Sequence, residues 1–131
     1  MLDEFLHAYL AAALWSSQEG DVPIDRDYSV DDLSSRAFRD ATLECQQFLD
    51  KGSIWIVDKY FKHVTKEHTT VSQAGHDFWL TRAGHGCGFW DGDWREPAAT
   101  ILTNLSTSFG ANALYVGDDD KLYFMTNPKG E

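Results

Sequence analysis

Apolar residues recur along the chain at two different spacings, and the change of spacing divides it. Over Leu2–Trp15, the residues Leu6, Tyr9, Leu10, Ala13 and Leu14 stand three and four apart, as on one helix face. Asp3 and Glu4 fall where the helix dipole favours anions. Residues 16–27, with Gly20, Pro23 and many polar neighbours, read as a loop. Ser29 then opens a second helix: Asp32 stands at its third position, and Tyr28 and Leu33 are placed for a hydrophobic staple. The stripe Leu33, Ala37, Ala41, Cys45 and Phe48 carries that helix to a stop at Gly52. Cys45 lies in the stripe and reads as a small core residue. Ile54, Val57, Phe61 and Val64 keep helical spacing, although Ile54–Val57 would also suit a strand. Helix is favoured, because Lys59, Lys62 and His63 then share an outer face.

Beyond a polar linker at 65–75 the pattern shortens. His76–Arg82 reads as a strand, Ala83–Gly86 as a turn, and Cys87–Asp91 as the returning strand of a hairpin. Glu96-Pro97 opens a third helical stretch with apolar positions Ala98, Leu102, Leu105 and Phe109, ended by Gly110. Ala113–Val116 and Lys121–Met125 flank Gly117-Asp118-Asp119-Asp120 as a second hairpin with an acidic turn. An isolated hairpin is marginal in water, so the two are expected to join one antiparallel sheet. The predicted fold is α+β over a single domain, 1–131: N-terminal helices, then β-β-α-β-β, with helices covering the sheet.

Composition sharpens this picture mainly by exclusion. The chain has 131 residues, 43% of them hydrophobic, enough for a packed core and against wholesale disorder. It carries 21 Asp and Glu against 11 Lys and Arg, a formal net charge of −10. Residues 1–50 hold eleven acids and three arginines, a net −8, so the charge belongs mostly to the first half. Direct binding of nucleic acid through a basic surface is excluded for want of clustered cations. No apolar run approaches the length of a membrane span, and Ala8–Trp15 follows acids rather than a basic region, unlike a secretory signal. Two cysteines make no disulfide framework, which points to a reduced cytoplasmic setting.

Candidate chemistry concentrates in residues 75–95, where His76, Asp77, Arg82, His85, Asp91 and Asp93 interleave with Trp79, Trp90 and Trp94. The spacing of His76, His85, Cys87 and Asp91 matches no familiar zinc pattern, and no metal or cofactor is called for. His85 and Cys87 would share a strand face, the pairing a thiolate nucleophile needs, yet no orienting third group is evident and no catalytic residue is assigned. Gly84, Gly86 and Gly88 lack the lysine and following helix of a phosphate-binding loop. Trp79 and Trp90 are expected as cross-strand neighbours, in a Trp-rich core or as a dimer contact. In the core reading, Asp77, Arg82, Asp91 and Asp93 form a polar network that holds the hairpin.

The run His76-Asp77-Phe78-Trp79-Leu80-Thr81-Arg82, then Gly84-His85-Gly86 and Gly88-Phe89-Trp90-Asp91-Gly92-Asp93-Trp94, resembles a family of small acidic proteins of tailed phages and prophages. Ala13–Ser17, Tyr28-Ser29, Phe109-Gly110 and Leu114–Asp119 fit the same family, so the resemblance spans nearly the whole chain. It departs from the pattern over about Asp50–Ser72, and at Cys87, where a residue such as alanine is expected. The resemblance implies a phage-encoded protein acting in the host cytoplasm and carries over no catalytic residue. The expected function is stoichiometric inhibition of a host or defence protein complex, of anti-CRISPR or anti-restriction type, by a monomer or homodimer. Glu19, Asp21, Asp25, Asp27, Asp31, Asp32, Asp40 and Glu44, with Asp118, Asp119 and Asp120 as a second patch, would mimic nucleic acid toward a basic groove. The alternatives are a small-ligand or enzymatic site at His76, Asp77, Arg82, His85, Asp91 and Asp93, and a regulatory or structural protein dimerising through the Trp-rich hairpin.

Overall fold

A computed structural model describes residues 1–57, 70–91 and 94–126. Helix α1 (Leu2–Ser16) leads into a two-residue hairpin, β1 (Gln18–Glu19) and β2 (Val22–Pro23). Two 3-10 turns, Ile24–Arg26 and Val30–Asp32, precede the long helix α2 (Ser35–Val57). Helices α3 (Thr70–Ala83) and α4 (Ala98–Ser108) follow, and the described chain closes with the hairpin β3 (Leu114–Val116) and β4 (Leu122–Phe124). The fold is mixed α+β, dominated by helices.

The capping signal at Ser29 is real but starts a different element. Its hydroxyl accepts from Asp31 N–H, and Asp32 accepts from Ser29 N–H at 2.8 Å, a reciprocal box around the second 3-10 turn. Five residues later, Ser34 begins α2 by accepting from Ala37 N–H at 3.0 Å. Gly52 does not stop that helix. A side chain there would press on Leu105 and Leu102 of α4, so its bareness lets the two helices approach. The helix therefore runs on through Ile54–Val57, while the rest of the expected element, with Lys59, Lys62 and His63, lies outside the described residues.

The larger correction concerns 76–91. His76–Arg82 is helix, not strand, and Cys87–Asp91 is a turn rather than a returning strand. Trp79 and Trp90 are therefore not cross-strand neighbours: Trp79 is fully buried and Trp90 is 54% exposed. Because that hairpin is absent, the two sheets among the described residues are two-stranded and separate, β1 with β2 and β3 with β4. The reason lies in packing. Helix α3 touches α1, α2 and α4, and buries Ala74, Asp77, Phe78, Trp79, Leu80 and Arg82. A helix enclosed on several sides has no single apolar stripe, so its sequence loses the 3.6-residue signature.

An aromatic cluster fills the interior. Phe48 stacks on Phe78 with centroids 4.2 Å apart, and Tyr9 meets Trp79 edge to face at 5.4 Å. Phe89 and Trp94 from the turn segment complete it at 5.2 Å. Gly75 makes the α1–α3 contact possible, since a Cβ there would collide with the Phe5 carbonyl.

Candidate functional site

The dense segment divides into two buried polar networks, and α3 positions both. Asp77 is 2% exposed. One carboxylate oxygen accepts from Trp94 Nε1–H at 2.6 Å and Gln73 Nε2 at 3.1 Å; the other lies 3.3 Å from His76 Nδ1. Burial of a carboxylate demands such donors. Here they tie α3 to the segment before α4. Thr81 supports the same join, donating to Asp77 C=O and accepting from Phe89 N–H.

Arg82 faces another quarter. Its side chain is fully buried and makes four hydrogen bonds: to Glu44 Oε1 at 2.7 Å, Tyr9 Oη at 2.9 Å, Gly110 C=O at 3.0 Å and Phe109 C=O at 3.2 Å. The guanidinium also lies 5.4 Å from the centre of the Phe78 ring. It thus ties α1, α2, α3 and the C-terminal end of α4 together. Burial pushes the Tyr9 hydroxyl well above the usual tyrosine range, against the opposing pull of Arg82. Burial likewise pushes the Cys45 thiol far up, as expected of a core residue. The Cys87 thiol is also raised, by burial first and then by Asp91 and Asp77, the opposite of what nucleophilic activation requires.

Of the described residues of the alternative site, His76 meets Asp77 at 3.3 Å, and Arg82, His85 and Asp91 are engaged elsewhere. Asp77 and Arg82 sit in separate networks, Asp91 accepts from Gly88 N–H within its own turn at 3.3 Å, and Asp93 lies outside the described residues. His76 packs beside the exposed Trp15 with ring centroids 5.9 Å apart. His85, on the Gly84–Gly86 turn, borders a cleft of about 490 Å³ with Gln18, Asn112 and Leu114, floored by Trp79. Trp79 is held there by Nε1–H donating to Ser16 Oγ at 2.8 Å. Among the described residues, no three His, Cys, Asp or Glu are grouped to hold a metal ion.

The acidic residues behave differently. Tyr28 donates from its hydroxyl to Asp120 Oδ1 at 2.6 Å, joining the two acidic segments across 92 residues of sequence. That bond first, then loss of water around the hydroxyl and the nearby charges of Asp120, Glu19 and Asp27, push the Tyr28 hydroxyl up to about 12. A bridge from Leu33 to Leu122 and a bond from Ser34 N–H to Leu122 C=O hold the same two segments together. Glu19, Asp21, Asp25, Asp27, Asp31, Asp118, Asp119 and Asp120 are all exposed. The sequence had no signal for this junction except the Tyr28 placement, which suggested a staple instead.

Three of the expected acids are engaged elsewhere. Asp32 serves the Ser29 box, Asp40 is paired with Arg36 and Arg39, and Glu44 is bound to Arg82. Asp119 accepts from Tyr123 Oη at 2.5 Å, which holds its carboxyl below the usual range. Among the described residues, no helix is long and apolar enough to cross a membrane. Comparison with protein-family models, curated proteins and solved structures found no match.

Proposed function

We propose that the chain is a phage-encoded accessory protein that acts in the host cytoplasm by stoichiometric binding. Its target would be a bacterial defence or nucleic-acid-handling complex, and its mode the occupation of a basic groove by carboxylates. The observation that carries this reading is the Tyr28–Asp120 hydrogen bond, which joins the two acidic segments where Glu19, Asp27 and Tyr28 line one hollow. Carboxylates in excess over cations steer association with a positive surface and compete there with phosphates. Arg26 is engaged with Asp27 at 2.9 Å, yet the end as a whole stays strongly acidic. The motif residues support the reading from the other side: Asp77 and Arg82 are occupied in holding the helices together.

The test is affinity purification of the tagged chain from an infected host, followed by mass spectrometry. The wild type should retain a defence or nucleic-acid-handling complex. The triple variant Glu19→Lys, Asp27→Lys, Asp120→Lys should fold and lose it. Equal retention by both proteins sinks the mimicry reading.

A further inference from the structure

We propose that the hollow between Trp90 and the outer face of α4 binds one neutral, hydroxyl-bearing six-membered ring, a single sugar unit, laid against the indole. The inference is independent of the acidic surface above and uses none of its residues. The hollow encloses about 150 Å³ and is lined by Trp90, Glu96, Ala99, Thr100, Thr103 and Asn104. A cavity of about this volume takes a single six-membered ring. Glu96, Thr100, Thr103 and Asn104 recur at helical spacing, so they fall on one face of α4 and its lead-in.

Two observations set this hollow apart from ordinary surface. Trp90 is 54% exposed, although Phe89 before it and Trp94 after it are buried. An indole left in water offers a broad apolar face, the kind of wall that small-ligand sites use. The second is Thr103 Oγ1, which is buried and meets no hydrogen-bond partner among the described residues. A threonine hydroxyl on a helix can bond the carbonyl one turn back, as Thr42 does with Phe38 and Thr81 with Asp77. That of Thr103 is held by nothing. Threonine has two χ1 rotamers open to it on a helix, so this hydroxyl turns to a ligand without breaking a bond. A buried hydroxyl without a partner costs stability, and a ligand that supplies the partner recovers it.

The polar lining selects the class of ligand. Thr100, Thr103 and Asn104 carry groups that donate and accept, whereas the Glu96 carboxylate only accepts. Glu96 is held in place: Oε1 accepts from Thr100 N–H at 2.9 Å and Oε2 from Thr100 Oγ1 at 2.7 Å. Each oxygen keeps a further lone pair. Hydroxyls on neighbouring ring carbons are donors and acceptors at once and suit this mixture, while the C–H face of the ring suits the indole. With a carboxylate and no Lys, Arg or His in the lining, a ligand bearing phosphate or carboxylate is repelled. A cation over one half-exposed indole gains little, and Glu96 is already engaged by Thr100.

The test titrates the full chain, isotopically labelled, with the methyl glycosides of glucose, galactose and N-acetylglucosamine, and follows the Trp90 indole N–H signal. At least one should bind with a Kd on the order of 1–10 mM, as suits a ligand of so few atoms. Trp90→Ala, at an exposed position, should abolish binding. Thr103→Val keeps the shape and deletes the hydroxyl. It should weaken the sugar about fivefold to tenfold without lowering the urea midpoint, and Thr103→Ser should restore the affinity. Absence of any shift with all three glycosides overturns the inference, as does binding that survives Trp90→Ala or is unchanged in Thr103→Val. If tetramethylammonium or adenosine shifts the Trp90 signal and the glycosides do not, the hollow takes a cation or a flat base, and the sugar inference fails. The triple variant Glu19→Lys, Asp27→Lys, Asp120→Lys should bind the glycoside as the wild type does, which keeps this result separate from the fate of the acidic-surface reading.

Discussion

The two acid-bearing regions of this molecule use the same side chains for opposite ends. Around α3, Asp77 and Arg82 are withdrawn from water and fully occupied by protein partners. At the junction of the β1–β2 segment with the β3–β4 turn, carboxylates stay in water and gather around one tyrosine. Burial makes a charged group expensive unless its bonds are made, so the first region is specified by geometry. Exposure makes a charge cheap and long-ranged in effect, so the second is specified by sign and position alone. A dense motif therefore need not be the site, and a sparse acidic loop can be.

The sharpest way to break this contrast is Arg82→Met. It leaves Glu44 and Tyr9 without their buried donor and should cost about 3–5 kcal/mol, read from urea unfolding. A loss under 1 kcal/mol would show that the guanidinium is dispensable to the core. Next comes Gly75→Ala, whose methyl group meets the Phe5 carbonyl and should cost about 1–3 kcal/mol by forcing α1 and α3 apart. Asp77→Ala removes the acceptor of Trp94 and Gln73, and the same measurement should show a loss of about 1–3 kcal/mol. Its near-ultraviolet dichroism should change as well, because Trp94 loses its anchor.

At the acidic end the effects are smaller and of another kind. Glu19→Gln with Asp27→Asn should leave the urea midpoint at the wild-type value and weaken only association with a cationic surface. Tyr28→Phe deletes the bond to Asp120. Because the Tyr28 hydroxyl titrates near 12 in the folded chain rather than at its ordinary 10, the folded state favours the protonated form. The stability this adds is fully present below pH 10 and is lost as pH rises toward 12. The difference between wild type and Tyr28→Phe should accordingly persist through neutral pH and close over that window. A constant difference across it would mean that the hydrogen bond is not its source.

Much of the fold was legible where one side of an element faces water. Leu6, Tyr9, Leu10, Ala13 and Leu14 marked α1, and Leu114–Val116 with Leu122–Phe124 fell inside the predicted hairpin. Where an element is enclosed, the same reasoning failed. Phe78, Trp79 and Leu80 in a row look like strand because no residue of 71–83 is fully exposed, and the two charged ones, Asp77 and Arg82, are buried. Gly52 looked like a helix end because its role, making room for Leu105, belongs to another helix.

What the sequence determines by itself here is local: caps, turns, exposed-helix periodicity and the net −10 charge, each set by neighbours a few residues away. Only the tertiary structure decides that Arg82 binds Glu44 and Tyr9, or that Tyr28 reaches Asp120. Those partners lie 38, 73 and 92 residues apart, and no short-range pattern encodes a contact that exists only after the helices have packed. The composition supplied the acids, and the packing decided which of them remain in water.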